Sequence, residues 1–174
     1  AANTDDTNTG DLNPAGTIDF GGGVDDFTND VGGLFTLTGD TTLAGLETMA
    51  NDGTIDLATF TLTGPAIAFV NTGTIDTDGD AAVAGFTTFD NDGVLDLGPG
   101  TFTTIIGQPF NNTGTIIADE GVSEITGQTV LNNSGTIDLQ DGAINDELTI
   151  DSDFVGSGDS TLLVDFGDGD SDLL

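Results

Sequence analysis

The chain contains no lysine, arginine, histidine or cysteine, and it also lacks tryptophan and tyrosine. Without basic side chains it offers no cationic patch to phosphates, so nucleic acid and anionic membrane surfaces are excluded as partners. Without cysteine it has neither disulfides nor thiolate metal sites. No apolar run approaches the roughly 20 residues that a membrane-spanning helix needs. We therefore expect no nucleic-acid binding and no membrane insertion.

The same absences remove most enzyme classes. Nucleophilic triads usually rely on histidine, and phosphate-binding loops rely on lysine. A pair of Asp or Glu carboxylates, as in glycosidases, is the one catalytic constellation that the composition leaves open. The acidic residues are spread along the chain, and the usual sugar-stacking side chains, Trp and Tyr, are missing. We expect a protein that is not an enzyme, with a two-carboxylate glycosidase as a remaining alternative.

The chain is instead strongly acidic: 31 of its 174 residues are Asp or Glu, which gives a formal charge of −31. A high net charge favours disorder, but 36% hydrophobic residues in a strict register favour a folded chain. Two interpretations of the acidity stay open. One is adaptation to solubility and salt; the other is specific binding of cations.

A short motif of the form Asn-x-Gly-Thr-Ile recurs through the middle of the chain. Its apolar position returns in steps of 20 to 21 residues, at Ile55, Ile75, Leu95, Ile116 and Ile137. A second apolar column stands two residues before each Asn, at Met49, Phe69, Phe89, Phe110 and Leu131. Self-similarity of this period is typical of solenoids, in which each coil buries its apolar side against its neighbours.

Period-two alternation within the repeats, as in Phe60-Thr61-Leu62-Thr63, indicates short strands with inward apolar side chains. We predict an all-β fold, a right-handed parallel β-helix (β-solenoid) of about seven three-faced coils with 20–21 residues each. Residues 1–15 are predicted to be a polar leader or thin cap. Residues 16–174 are predicted to form one solenoid domain, with regular coils over about 33–150. Residues 16–20 are interpreted as a first, irregular copy of the motif.

The Asn and Phe columns are assigned structural roles. A coil corner can require a positive φ, which Asn and Gly tolerate, and stacked Asn side chains can hydrogen-bond along the column. Phenylalanine rings one coil apart stand near a favourable stacking distance, so they are expected in the core. The predicted structural ladder consists of Asn51, Asn71, Asn91, Asn112, Asn133, Phe69, Phe89 and Phe110.

The cation hypothesis is based on aspartates at alternate positions, an arrangement of hard oxygen ligands that suits Ca²⁺. Two such runs occur, at 76–80 and 168–172, and neither completes an EF-hand loop. In addition, aspartates that follow the inward Ile and Leu positions should point outward in one column. The candidate metal ligands are Asp56, Asp76, Asp78, Asp80, Asp96, Asp168, Asp170 and Asp172. No cofactor is required, and Ca²⁺ is the candidate ion.

With these residues in view, the repeat resembles the secreted right-handed β-helices of autotransporter passengers and filamentous-haemagglutinin-type adhesins. The Asn-x-Gly-Thr-Ile units over about residues 50–140 carry the resemblance, and the tail from Ser160 to Leu174 is similar to stretches near the end of such passengers. The resemblance implies an extracellular, cell-surface, fibrous and non-enzymatic adhesin or structural protein. Cell-surface or matrix glycans are the partners it implies.

Neither end of the predicted solenoid has a convincing cap. The leader contributes Leu12 as its one large apolar residue, and the far end leaves Leu162, Val164, Phe166, Leu173 and Leu174 with little sequence to cover them. A bare strand edge templates further pairing. We therefore expect either a segment of a longer β-helix or end-to-end self-association into a filament. The opening Ala1-Ala2-Asn3 is compatible with a signal-peptidase product and with a fragment of a longer chain.

Two further functions stay open as alternatives, Ca²⁺-dependent glycan binding and ice binding. An ice-binding face requires a flat array of outward Thr-x-Thr pairs. The sequence offers one column of outward threonines, Thr54, Thr74, Thr115 and Thr136, which is interrupted by Val94. The strand-mate two residues after most of these threonines is Asp, so we rank ice binding below adhesion.

Overall fold

A computed structural model describes residues 5–21, 25–118, 120–140 and 146–165 of the chain. Over these ranges the backbone forms 23 β-strands of two to six residues and no helix. Turn-forming Gly, Pro, Asp and Asn residues separate the strands and keep them short. The strands build three parallel sheets stacked as a β-solenoid. The predicted all-β parallel β-helix is therefore confirmed, while its right-handed winding stays a prediction.

The first sheet contains eight strands, and the six in its middle each carry a buried apolar residue of the core. In spatial order they are β1 (Asp5–Asn8), β4 (Asp25–Asn29), β7 (Leu46–Asn51), β10 (Ala68–Asn71), β13 (Thr88–Asn91), β16 (Phe110–Asn112), β19 (Val130–Asn133) and β22 (Asp153–Gly156). Seven of these strands end at an Asn. The Asn corner of the repeat therefore lies at the exit of the first sheet.

The second sheet also contains eight strands and follows the Asn corner. Its strands are β2 (Asp11–Leu12), β5 (Leu34–Thr36), β8 (Thr54–Ala58), β11 (Thr74–Thr77), β14 (Val94–Leu97), β17 (Thr115–Ile117), β20 (Thr136–Asp138) and β23 (Thr161–Leu163). The third sheet contains seven strands. They are β3 (Gly16–Asp19), β6 (Thr41–Ala44), β9 (Thr61–Thr63), β12 (Ala81–Ala84), β15 (Gly100–Thr103), β18 (Val122–Thr126) and β21 (Glu147–Ile150).

Each coil passes through the three sheets in turn and returns one strand further along the axis. Sheets of eight, eight and seven strands correspond to about seven coils, as the sequence predicts. Neighbouring parallel strands lie about 4.8 Å apart, so the stack is roughly 35 Å long. Every coil contacts only the coils beside it.

Apolar side chains from all three sheets fill the centre of the coils. The strand pairing places Ile55 beside Ile75, which in turn lies beside Leu95. Ile116 and Ile137 continue the same column, and all its members are buried. Period-two alternation within each strand produces this arrangement, because successive side chains of a strand point to opposite faces. The two apolar columns predicted from the repeat are confirmed.

The beginning of the chain differs from the prediction. Residues 16–20 are not a copy of the motif, because β3 belongs to the third sheet and pairs Ile18 with Leu43. The Ile55 column is instead continued by Phe35, which pairs with Leu12 of β2. Within 1–15, for which a leader or cap is predicted, the described residues form β1 and β2 in the first coil. The sequence interpretation was wrong here because an alternating segment such as Gly-Thr-Ile-Asp is compatible with a strand in any of the three sheets.

Candidate functional site

A continuous column of asparagine side chains occupies the corner between the first and second sheets. In each step the Nδ2 of one Asn donates to the Oδ1 of the Asn one coil further on, at 2.7 Å from Asn71 to Asn91 and 2.7 Å from Asn91 to Asn112. The same Nδ2 also donates to a backbone carbonyl of the next coil, as from Asn71 to Val94 at 3.0 Å. The column comprises Asn8, Asn29, Asn51, Asn71, Asn91, Asn112 and Asn133.

These side chains are inaccessible to an external ligand. Asn51, Asn71, Asn91 and Asn112 have no exposed surface, and their amides are engaged with other coils. A buried amide without partners would destabilise the fold by about 1–3 kcal/mol, and the column removes that penalty at every coil. The five predicted Asn residues of the ladder are thus joined in one hydrogen-bonded column, which two further members extend toward the N-terminus.

The glycine of the motif is required by close backbone contact. A Cβ on Gly73 would lie 2.1 Å from the carbonyl oxygen of Gly53, and one on Gly93 would lie 2.1 Å from that of Gly73. Among the described residues, neither these glycines nor the column asparagines have a positive φ. The expectation that the corner selects Asn and Gly for positive φ is therefore wrong. The backbones of successive corners approach too closely for any side chain.

Stacked phenylalanine rings form the core beneath the first sheet. The centroids of Phe69 and Phe89 lie 5.3 Å apart, and those of Phe89 and Phe110 lie 5.0 Å apart with planes inclined by only 6°. Phe86 and Phe102 pack against the side of this stack. All five rings are buried. The predicted Phe residues of the ladder are therefore packed in the core.

The predicted acidic column lies on the outside of the second sheet. Strand pairing sets Asp56 beside Asp76, and Asp76 beside Asp96. All three side chains are half-buried, and the next position of the column is Ile117. Two unit charges about 5 Å apart repel by about 0.8 kcal/mol even in bulk water. The alignment of these three carboxylates therefore places like charges together along the axis.

The surroundings of Asp76, the central carboxylate of the acidic column, raise its pKa. Partial burial raises the pKa of Asp76 above its ordinary value, and the negative charges of Asp56, Asp78 and Glu120 raise it further. A backbone hydrogen bond from Thr77 acts in the opposite direction. Asp56 accepts a hydrogen bond from the backbone N–H of Ala58 at 2.9 Å. Protonation of Asp76 would relieve repulsion in this column.

The other candidate metal ligands are dispersed. Asp78 and Asp80 are exposed, and Asp80 accepts a hydrogen bond from the backbone N–H of Thr101 at 2.9 Å. Asp168, Asp170 and Asp172 lie outside the described residues. Among the residues that the structure describes, no group of three or more acidic side chains has the arrangement needed to hold a metal ion. The geometry thus adds no support to the Ca²⁺ hypothesis.

A second polar column, which the sequence interpretation missed, runs along the outer side of the Asn corner. Its positions follow the column asparagines, and from Asp52 to Thr113 they alternate between acid and hydroxyl. The hydroxyl of Thr72 donates to the carboxylate of Asp52, and that of Thr113 donates to the carboxylate of Asp92. The alternation is visible in the sequence as Asp, Thr, Asp and Thr in four successive motifs. From Asp52 to Thr113 it keeps neighbouring coils from placing two carboxylates side by side, whereas Asp30 and Asp52 follow column asparagines of successive coils.

The outward threonines do not form the array that ice binding requires. Thr54, Thr74 and Val94 lie in one column of the second sheet, beside the aspartates of the acidic column. On the third sheet, Thr61 pairs with Ala82, which pairs with Thr103. Thr-x-Thr pairs are therefore not repeated from coil to coil on either face.

Both ends of the described solenoid leave core residues uncovered. At the N-terminal end, the half-buried Leu12, Ile18 and Phe20 lie over the buried Phe27. They line a cavity of about 650 Å³ together with Asp6, Thr7, Asn8, Asn13, Pro14 and Ala15. At the other end, Phe154 is 43% exposed and Leu162 is 45% exposed. These residues belong to the same apolar columns that are fully buried in the middle of the stack. On the sides of the solenoid, exposed apolar residues such as Val31 and Ile106 stand singly, whereas at the two ends the exposed apolar residues continue the core columns.

Comparison of the chain with protein-family models, with curated protein sequences and with solved structures finds no significant match. In the part of the chain that the structure describes, no helix has the length and apolarity required to cross a bilayer. The fold agrees with the resemblance to β-helical passengers and adhesins. The family relationship itself stays a hypothesis.

Proposed function

We propose that this chain is a non-enzymatic, extracellular structural or adhesive β-solenoid, a rod segment whose ends are continued by further β-helical coils. The observation that carries the proposal is the incompletely covered core at both ends of the stack, at Leu12 and Phe20 on one side and Phe154 and Leu162 on the other. Soluble solenoids normally cover such ends with capping elements.

The interior supports a structural role. The Asn column and the Phe column engage their polar and apolar groups with neighbouring coils. Each additional coil therefore adds one set of the same contacts, as in other repeat architectures. Such a design suits a spacer or scaffold of variable length. This organisation agrees with the secreted β-helical passengers and adhesins that the repeat resembles.

The outer faces suggest which partners the rod would accept. A formal charge of −31 without any basic residue repels anionic polymers. The second sheet presents Thr54, Thr74 and the acidic column, and the third sheet presents Thr61, Thr63 and Thr103. Hydroxyl groups can donate to and accept from sugar hydroxyls. We therefore propose neutral cell-surface or matrix glycans as the adhesion target.

Immuno-electron microscopy of intact, unpermeabilised source cells, with antibodies against this chain, tests the proposal. Labelling of the cell surface or of fibres outside the cell is the expected result. Labelling that appears only after permeabilisation would contradict an extracellular role. A glycan array, probed with the fluorescent chain at physiological salt, then tests the adhesive part. Binding only to anionic glycans would contradict the proposed chemistry of the target.

A further inference from the structure

The strand edges at the two ends of the solenoid have matching geometry. In the described part of the chain, β1, β2 and β3 pair only with β4, β5 and β6. At the other end, β22, β23 and β21 pair only with β19, β20 and β18. All these pairs are parallel, and both ends present one strand from each of the same three sheets. One end can therefore continue the sheets of the other without any change of direction.

The apolar surfaces of the two ends are also complementary in shape. The N-terminal end is concave, with the cavity between Leu12, Ile18, Phe20 and Phe27. The C-terminal end exposes Phe154, which extends the column of Phe89, Phe110 and Leu131 by one coil. A buried aromatic side chain contributes a large apolar area. The exposed ring can cover the half-buried Leu12, Ile18 and Phe20 of the cavity, whose lining also includes the carboxylate of Asp6.

We propose that the N-terminal cavity binds the C-terminal coil of a second copy of this chain, in the register that continues the strand columns. The inference rests on the proposed function and names the partner for the open ends. The columns define the register, because Thr7 and Val155 are the two ends of one outward column of the first sheet. Asp11 and Thr161 are likewise the two ends of one outward column of the second sheet.

The junction brings Val155 of one copy beside Thr7 of the next, and Thr161 beside Asp11. Phe154 lies beside Asp6 at the rim of the cavity, because these two residues are the two ends of one column of the first sheet, and Gly156 lies against Asn8. The contact is heterologous and does not close, so repeated junctions extend a filament. Acidic residues stand near both edges, among them Asp6, Asp11, Asp151 and Asp153. Because these like charges oppose docking, the junction forms at high salt, where the Debye length falls to about 3 Å at 1 M.

Disulfide trapping in the full-length chain tests the register, since the chain has no cysteine of its own. Four single variants are needed, Thr7→Cys, Asp11→Cys, Val155→Cys and Thr161→Cys. All four positions are exposed, so the substitutions leave the core intact. Neighbouring parallel strands set Cα atoms about 4.8 Å apart, which lies within the range that a disulfide spans.

Pairs of variants are mixed at high salt and oxidised, and heterodimers are counted by mass. The in-register mixtures are Thr7→Cys with Val155→Cys, and Asp11→Cys with Thr161→Cys. Exchanging the partners produces two out-of-register mixtures with the same thiols. We expect at least about tenfold more heterodimer in the in-register mixtures, because docking holds their thiols at high effective concentration. Equal yields in all four mixtures would overturn the proposal.

A substitution at the docking residue supplies a second test. Phe154→Asp should abolish the salt-induced increase in light scattering. Val31→Asp is the matched control, because Val31 is 79% exposed on a side loop, and it should leave the increase unchanged. A chain that stays monomeric in all salts would show that something other than a second copy covers the cavity. That result overturns the junction while surface labelling of cells can still support the structural role.

Discussion

Phe89 stacks on Phe110 of the next coil with ring centroids 5.0 Å apart and planes inclined by 6°. Phe89 also contacts Phe69 on its other side, so it is the central ring of the stack. Phe89→Ala should leave a cavity and lower the free energy of unfolding by about 3–5 kcal/mol. Urea denaturation measures the change. Phe154→Ala, in the same column but 43% exposed, is the control and should lose far less. Equal losses in the two variants would contradict the assigned core.

Asn91 lies in the middle of the Asn column and has no exposed surface. Asn91→Ala removes the acceptor of Asn71 and the donor to Asn112, which both remain buried. We expect a loss of about 1–3 kcal/mol for each partner left unsatisfied. Asn111→Ala is the control, since Asn111 donates to Asp90 from a half-buried position on the outer face. Its loss should be about 1 kcal/mol or less. Thermal unfolding that ranks the two variants in the opposite order would contradict a structural role for the column.

The regular coils were predictable because two properties repeat together, an apolar side chain at a fixed pleat and an Asn-Gly corner. The first two members of the Asn column, Asn8 and Asn29, were not found this way. Asn29 is followed by Gly only at Gly32 and Gly33, because its corner contains an insertion that projects Val31 outward. Asn8 stands a regular 21 residues before Asn29 and is followed by Gly10, but Asp6 occupies the position where the other coils carry an apolar residue. An insertion on the outside of a coil breaks the sequence motif without disturbing the stacked column.

The candidate site was predictable only as a set of columns. The alignment of Asp56, Asp76 and Asp96 follows from the period, because equal spacing sets equal pleats side by side. Its chemistry does not follow, since a metal site depends on distances among oxygens that the period leaves undetermined. The close backbone contact that requires Gly73 and Gly93 could not be predicted from the sequence either. Only the stacked structure shows that a Cβ on either glycine would lie about 2 Å from the carbonyl oxygen of the preceding corner.

The corner glycines make a sharp prediction about substitution. A Cβ on Gly93 would lie 2.1 Å from the carbonyl oxygen of Gly73, and this oxygen accepts the backbone hydrogen bond of Val94. Gly93→Ala should therefore force the two coils apart and lower the free energy of unfolding by about 3 kcal/mol or more. Gly10→Ala is the matched control, because a Cβ there meets nothing within 4 Å. Chemical denaturation that finds the two variants equally stable would refute the close contact.

The raised pKa of Asp76 predicts the direction of a pH effect. A carboxyl group whose pKa is higher in the folded chain than in the unfolded chain binds its proton more tightly when folded. Its contribution to stability is therefore full below the unfolded pKa of 3.8 and is lost as the pH rises through the folded pKa. Asp76→Asn should be more stable than the native chain at pH 7, and the difference should vanish near pH 3.

Thermal melting of both chains between pH 3 and pH 7 measures this difference. Asp159→Asn is the control, because Asp159 is exposed in a turn away from the acidic column. It removes one negative charge without relieving the contact between Asp56 and Asp76. If both variants show the same pH profile, the effect belongs to net charge and not to the column.

Salt should stabilise the chain by screening alone. The formal charge of −31 repels itself, and the Debye length falls from about 10 Å at 0.1 M to about 3 Å at 1 M. We expect Tm to rise with ionic strength, and CaCl₂ and NaCl to have equal effects at matched ionic strength. Differential scanning calorimetry of dialysed, chelator-treated protein provides the measurement. A larger rise with CaCl₂, abolished by Asp76→Asn, would instead support a Ca²⁺ site at the acidic column.

Six amides of the Asn column point the same way, since each Nδ2 from Asn8 to Asn112 donates to the next Asn toward the C-terminal end. The column therefore distinguishes one direction of the axis from the other. At Asn8 it begins with an acceptor, and beyond Asn133 it meets Gly156, which has no side chain to receive a donor. A fibre made of such units would be polar, as actin and microtubules are. Growth at its two tips would proceed at different rates, and an anchor that recognises one tip would orient the whole fibre.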